Sequence, residues 1–161
     1  MQTIYQYVST PLFVLNPQYD SIILELSYLQ PCLPPNCDEQ GLESWNRYKT
    51  EFDRQVQPIL SSPQTNGYFL DSCYIHCQTF ESDTVWTQYA INGRSIRNVF
   101  GDWYFNRSTN TRLKDCDEDY PCNPTCPDMP DTMGSGAIGS LSSPYLVLAA
   151  FVTIYKVMSL I

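Results

Sequence analysis

Gly67-Tyr68-Phe69-Leu70-Asp71-Ser72-Cys73-Tyr74-Ile75-His76-Cys77-Gln78 decides the fold class. Its first half is a short apolar run opened by Gly and closed by a polar turn, the pattern of a buried strand. Upstream, Pro11 to Asn16 (PLFVLN) is a second such run, bounded by Pro and by Asn-Pro. Between the two, Gly41 to Leu60 changes period. Leu42, Trp45, Phe52, Val56, Ile59 and Leu60 recur at three- and four-residue steps, with charged residues between them, as on an amphipathic helix. Strand, loop, helix, strand is a crossover unit, and a crossover between strands of one sheet implies parallel neighbours. The expected class is therefore α/β.

The rest of the chain is less regular. Residues 17–40 read as a loop with a proline-rich excursion around Cys32 and Cys37, and Ser61 to Gly67 as a breaker. Ser95 to Arg107 reads as a further helix, with Ile96, Val99, Phe100, Trp103 and Tyr104 as its packing side. Thr109 to Met133 is polar and rich in Pro, Asp and Cys, and reads as an irregular segment held by disulfides.

Seven cysteines stand at 32, 37, 73, 77, 116, 122 and 126. The turn-forming insert Leu33-Pro34-Pro35-Asn36 suits a local Cys32–Cys37 bond. Two of Cys116, Cys122 and Cys126 are expected to pair with each other or reach back to the turn at Cys73 and Cys77. Zinc ligation is the competing reading, since Cys73 and Cys77 are four apart, as are Cys122 and Cys126. Disulfides imply an oxidising compartment, secreted or at the cell surface. The odd cysteine, and a start at Met1 without a leader pattern, suggest a mature fragment or a truncated gene model. A net charge of −8 argues against a nucleic-acid partner, because phosphate binding needs a basic face.

The C-terminal end is separate in character. Residues 128–144 form a linker rich in small residues, and 145–161 are apolar apart from Lys156. As a helix, that tail would span about 26 Å, just under a bilayer's hydrocarbon core. It reads as a glycolipid-anchor signal, with Gly134, Ser135 or Gly136 as attachment site, as a short membrane anchor, or as a buried or lipid-surface helix. Asn106-Arg107-Ser108 is a glycosylation sequon.

Two residues carry potential chemistry. His76, the one histidine of the chain, follows one expected strand, and Asp20 follows the other at a similar place. Loops past the carboxyl ends of parallel strands are where ligands and chemistry collect. A histidine oriented by a carboxylate is the base half of a hydrolase triad, and Asp before His is the α/β-hydrolase order. Read alone, a lone His after a strand is also a common surface residue, and Asp beside Tyr-Ser a common turn former.

The strings NGYFLDSCYIHCQT, GDWYFNR and DCDEDYPCNPTC resemble the signature segments of the pectin acetylesterase family, which includes Notum-like esterases. The resemblance runs over residues 10–127. It implies that residues 1–127 are the C-terminal part of an α/β-hydrolase-like domain, a parallel sheet with the disulfide-rich irregular segment; the apolar tail, read as a hydrophobic C-terminal helix, lies beyond it. By it, His76 is the catalytic base and Asp20 the triad acid. Family members usually carry Trp soon after Tyr-Asp-Ser, where this chain has Ile22-Ile23. The implied activity is hydrolysis of acetyl or longer acyl esters on a polysaccharide or a secreted protein, without a cofactor. The family nucleophile lies in a Gly-x-Ser-x-Gly elbow that these 161 residues do not contain, so the chain alone is expected to be inactive. The alternative is a non-catalytic, disulfide-stabilised surface module derived from such an esterase and held to the membrane by its tail.

Overall fold

The computed structural model describes residues 7–28, 32–33, 36–63, 65–80, 82–115, 117–119 and 126, which fall within one compact unit. Its centre is a three-stranded parallel sheet of β1 (Phe13–Leu15), β3 (Gly67–Leu70) and β7 (Arg112–Lys114), in the order β1-β3-β7. Phe13 pairs with Gly67 and Tyr68 with Arg112. The long connection from β1 to β3 carries α2 (Glu39–Leu60), so the crossover expected from the sequence is present. α2 begins at Asp38, whose carboxylate accepts from the Gly41 amide at 2.8 Å and so satisfies a donor at the helix end.

Period two along the strands places alternate residues on opposite faces. Val14, Tyr68 and Leu70 meet Phe52 and Val56 of α2 on one face. On the other, Phe13, Leu15, Phe69 and Leu113 pack with Val85 of α3 (Asp83–Gln88), and with Ile96 and Val99 of α4 (Ile96–Tyr104). Helices on both faces of a parallel sheet make this an α/β fold, as the class expectation had it. A tight hairpin of β5 (Ala90–Ile91) and β6 (Arg94–Ser95) joins α3 to α4. Its turn residues Asn92 and Gly93 have φ of 52° and 74°, the left-handed pair that a two-residue hairpin turn requires.

Three local expectations are corrected. The 17–40 region is not all loop: it forms β2 (Tyr19–Asp20) and α1 (Ser21–Ser27). The polar 109–133 segment supplies a sheet strand, β7, because only Leu113 needs burying while its charged neighbours find partners. Arg112 reaches the carbonyls of Leu60 and Ser62 and lies over the Tyr68 ring, and Lys114 pairs with Asp53 at 3.2 Å. Tyr104, read as a packing residue, is 65% exposed, whereas Trp103 is half-buried and donates its indole N–H to the Thr65 carbonyl at 2.8 Å.

Gly67 starts β3 where two rings close over the backbone. A Cβ there would lie 2.6 Å from the Phe13 ring and 2.8 Å from that of Trp103. The two rings lean on each other with centroids 5.3 Å apart, so neither can retreat alone. Gly67→Ala is expected to lower unfolding stability by roughly 1–3 kcal/mol through overpacking. Urea denaturation of the two chains reads it as a lower midpoint with unchanged slope.

Candidate acid–base site

Beyond the central sheet the first two strands continue as a second, two-residue parallel pair, β2 with β4 (Tyr74–Ile75). The register slips on the way. From Phe13 to Tyr19 the first strand takes six steps, while its partner takes seven from Gly67 to Tyr74. An extra residue on one side bends a strand and re-aims its side chains. The slack lies in Asp71-Ser72-Cys73, all buried. Gln18 bridges the gap: its backbone N–H donates to the Asp71 carbonyl at 2.6 Å, and its side-chain amide donates to the carbonyls of Leu70 and Asp115.

The slip brings Asp20 and His76 together. His76 Nδ1 lies 2.9 Å from Asp20 Oδ1 and 2.8 Å from Oδ2. A carboxylate offers only acceptors, so Nδ1 carries the proton and donates, which leaves the Nε2 lone pair outward. Asp20 is itself fixed as the N-cap of α1, with Oδ1 accepting from the Ile23 amide at 3.0 Å. The carboxylate is 10% exposed and the imidazole 32%, so the pair is sheltered on the acid side and open on the base side.

Tyr48 of α2 stands beside Asp20. Burial first, and then the Asp20 charge, push its phenol well above the usual tyrosine value, while hydrogen bonding with the Asp20 backbone pulls weakly the other way. It therefore stays a neutral hydroxyl. A cavity of about 370 Å3 opens on this side of the acid, lined by Val14, Asn16, Asp20, Tyr48 and Phe52 among others. His76 is not in that lining, so the hollow lies behind Asp20, away from the imidazole.

Cys32 is bonded to Cys37, and Cys73 to Cys126 across 53 residues. Cys77, next to His76, is exposed and has φ 53°. Cys116 and Cys122 lie outside the described residues, as do the 128–144 linker, the apolar tail and the candidate attachment sites Gly134, Ser135 and Gly136. Asp71 lies beside Cys73 and Cys126, but both sulfurs are taken up in their disulfide and offer no thiolate to a metal. Asn106 is exposed in the turn after α4. Among the described residues no helix is long and apolar enough to cross a membrane.

Sequence reasoning passed over Tyr48, Gln18, Asp71 and Gln78, although the last two lie within the stretch that defines the loop. Asp71 is wholly buried. Its Oδ1 accepts from the Cys73 amide at 3.1 Å and its Oδ2 from the Gln78 side-chain amide at 2.7 Å. Burial pushes its carboxyl from 3.8 up to about 6, with the nearby Asp115 adding to it and hydrogen bonds from Gln78, the Cys73 amide and its own backbone opposing. A raised carboxyl pKa contributes stability that is present below 3.8 and lost as pH rises through about 6. Asp71→Asn removes that titration. The stability of the variant relative to the native chain should therefore rise by about 3 kcal/mol between pH 3.8 and 7. Thermal melts of both chains at several pH values measure this difference, in which the other titrating groups cancel.

The family described as Pectinacetylesterase matches residues 1–127. Among curated proteins, the chain is 31% identical over 137 residues to Pectin acetylesterase 5 of Arabidopsis thaliana, covering 76% of this chain and 31% of the relative. It is 33% identical over 144 residues to Pectin acetylesterase 11 of the same plant, covering 76% and 35%. Against Pectin acetylesterase 7 it is 31% identical over 135 residues, covering 73% and 33%. The chain thus spans about a third of the length of these relatives.

Proposed function

Because the chain belongs to the pectinacetylesterase family, we propose that it carries the acid and base of a serine carboxylesterase, with Asp20 and His76 as two members of the triad. The observation that carries this reading is the short contact between His76 Nδ1 and both Asp20 oxygens at the end of paired parallel strands. In the proposed reaction His76 Nε2 takes the proton of a serine hydroxyl as the oxygen attacks the acetyl carbonyl. Asp20 stabilises the imidazolium, which then gives its proton to the departing sugar alcohol. In the second half the same nitrogen takes a proton from water, acetate is released, and the serine regains its hydrogen.

The proposed substrate class is an acetylated polysaccharide, in line with the pectin named for the relatives. The two disulfides support an oxidising, extracellular setting. The 161 residues contain no Gly-x-Ser-x-Gly pattern, so the chemistry needs a serine and oxyanion donors supplied alongside them. The test supplies both. Residues 1–127 replace the matched stretch of Pectin acetylesterase 5, and the hybrid is assayed for acetate release from acetylated pectin. Turnover by the hybrid, absent when the matched stretch is simply deleted, is the expected result. A folded hybrid without turnover would favour the non-catalytic surface module.

A further inference from the structure

We propose that Asp71 is a positioning residue for His76, gripping the histidine-bearing loop on both sides through its two carboxylate oxygens; this rests on the acid–base reading of Asp20 and His76. The loop leaves the central sheet at Leu70, and its one strand pairing before His76 among the described residues is the two-residue β4. So short a ladder is a weak hold on its own. After His76 the chain turns through Cys77 at φ 53°, a left-handed conformation that a non-glycine residue keeps only when its surroundings impose it.

Asp71 supplies that constraint. Oδ1 holds the Cys73 amide, three residues before His76, and Oδ2 holds the Gln78 side chain, two residues after it. Both anchors are buried, with Asp71 at 0% and Gln78 at 3% exposure. The Asp71 carbonyl also receives the Gln18 N–H, so the same residue ties the His76 loop to the strand that leads to Asp20. Ser72 fixes the intervening backbone by donating to Asp115 Oδ2 at 2.6 Å. Among the described residues Asp71 takes part in no ion pair. A wholly buried carboxylate without a cation is an unfavourable choice for stability alone, and its burial raises its carboxyl pKa accordingly. Two acceptors at fixed points astride His76 explain its presence. Asp71→Asn can keep both contacts: its oxygen still accepts from Cys73, and its NH2 meets Gln78 once that amide flips. After the flip Gln78 Oε1, which lacks a hydrogen-bond partner among the described residues, takes over the contact to residue 71 that Nε2 makes in the native chain.

His76 is the one histidine of the chain, so ring nitrogen NMR of the 15N-labelled full chain reports it without ambiguity. The native chain should show one tautomer, protonated at Nδ1, and Asp20→Asn should lose it. Asp71→Ala should lose that single-tautomer pattern to averaged ring shifts while circular dichroism stays native, and Asp71→Asn should restore it. Where Asp71→Ala gives no folded chain, Gln78→Met carries the same expectation with the buried volume kept. A native chain without the Nδ1–H pattern would overturn the Asp20–His76 pairing itself. A native chain with it, alongside a folded Asp71→Ala or Gln78→Met chain that keeps it, would overturn the role of Asp71 alone.

Discussion

Asp20→Asn is expected to lower kcat of the hybrid esterase by about 10^4-fold while leaving its folding intact. The two consequences separate because Asp20 does two jobs with different chemical needs. As N-cap it needs one oxygen for the Ile23 amide, and Asn caps as well as Asp. As partner of His76 it must accept from Nδ1, and an amide can turn its NH2 toward the ring instead. The imidazole then holds its proton on the wrong nitrogen, and the imidazolium formed during attack has no counter-charge. Asp20→Ala removes both roles, adding a stability loss of about 1 kcal/mol to the catalytic loss. Steady-state acetate release together with thermal melting distinguishes the two variants. Unchanged turnover in both variants, with a stability loss in Asp20→Ala alone, would reduce Asp20 to a helix cap.

Breaking the Cys73–Cys126 bond by a double Ser substitution is expected to cost about 4 kcal/mol, whereas opening Cys32–Cys37 in the same way costs about 2. The difference follows from the separations, 53 residues against 5, because the longer loop loses more unfolded-state entropy when closed. For a domain of this size 4 kcal/mol corresponds to a fall in Tm of roughly 15 °C. Position matters as well. Cys73 is the residue whose amide Asp71 holds, so the cross-link pins the loop that presents His76. Calorimetry of the two double variants under oxidising conditions ranks them, and a larger effect at Cys32–Cys37 would contradict this account.

The sequence announced the parts of the fold in which one element buries a full face. Trp45, Phe52 and Val56 of α2 keep helical spacing because they cover Leu70, Tyr68 and the Tyr19 cluster. Gly67 to Leu70 is buried on both faces and therefore reads as one apolar run. Where burial falls on a single residue, periodicity has nothing to show. β7 buries only Leu113 between two charged neighbours, and in α1 only Leu24 of four aliphatic residues is buried. Asn92-Gly93 is a turn signal legible in the sequence, and it forms the hairpin turn between β5 and β6.

The site was legible in part. His76 and Asp20 stood out through their residue types and places after strands, and through the resemblance of the surrounding motifs. Their contact depends on a one-residue slip between β3 and β4, which no pattern in the chain displays. The buried polar residues that sustain the slip, Gln18, Asp71, Ser72 and Gln78, resemble ordinary turn residues until their burial is seen.

The kcat of the hybrid carrying His76→Ala tests the acid–base assignment most directly. His76 is one-third exposed, so its loss should leave the melting temperature nearly unchanged. With the base removed, turnover of acetylated pectin should fall by about 10^4- to 10^6-fold, to the residue that binding and oxyanion donors sustain. A His76→Ala hybrid that melts like its parent and turns over within about tenfold of it would place the base elsewhere and contradict the account.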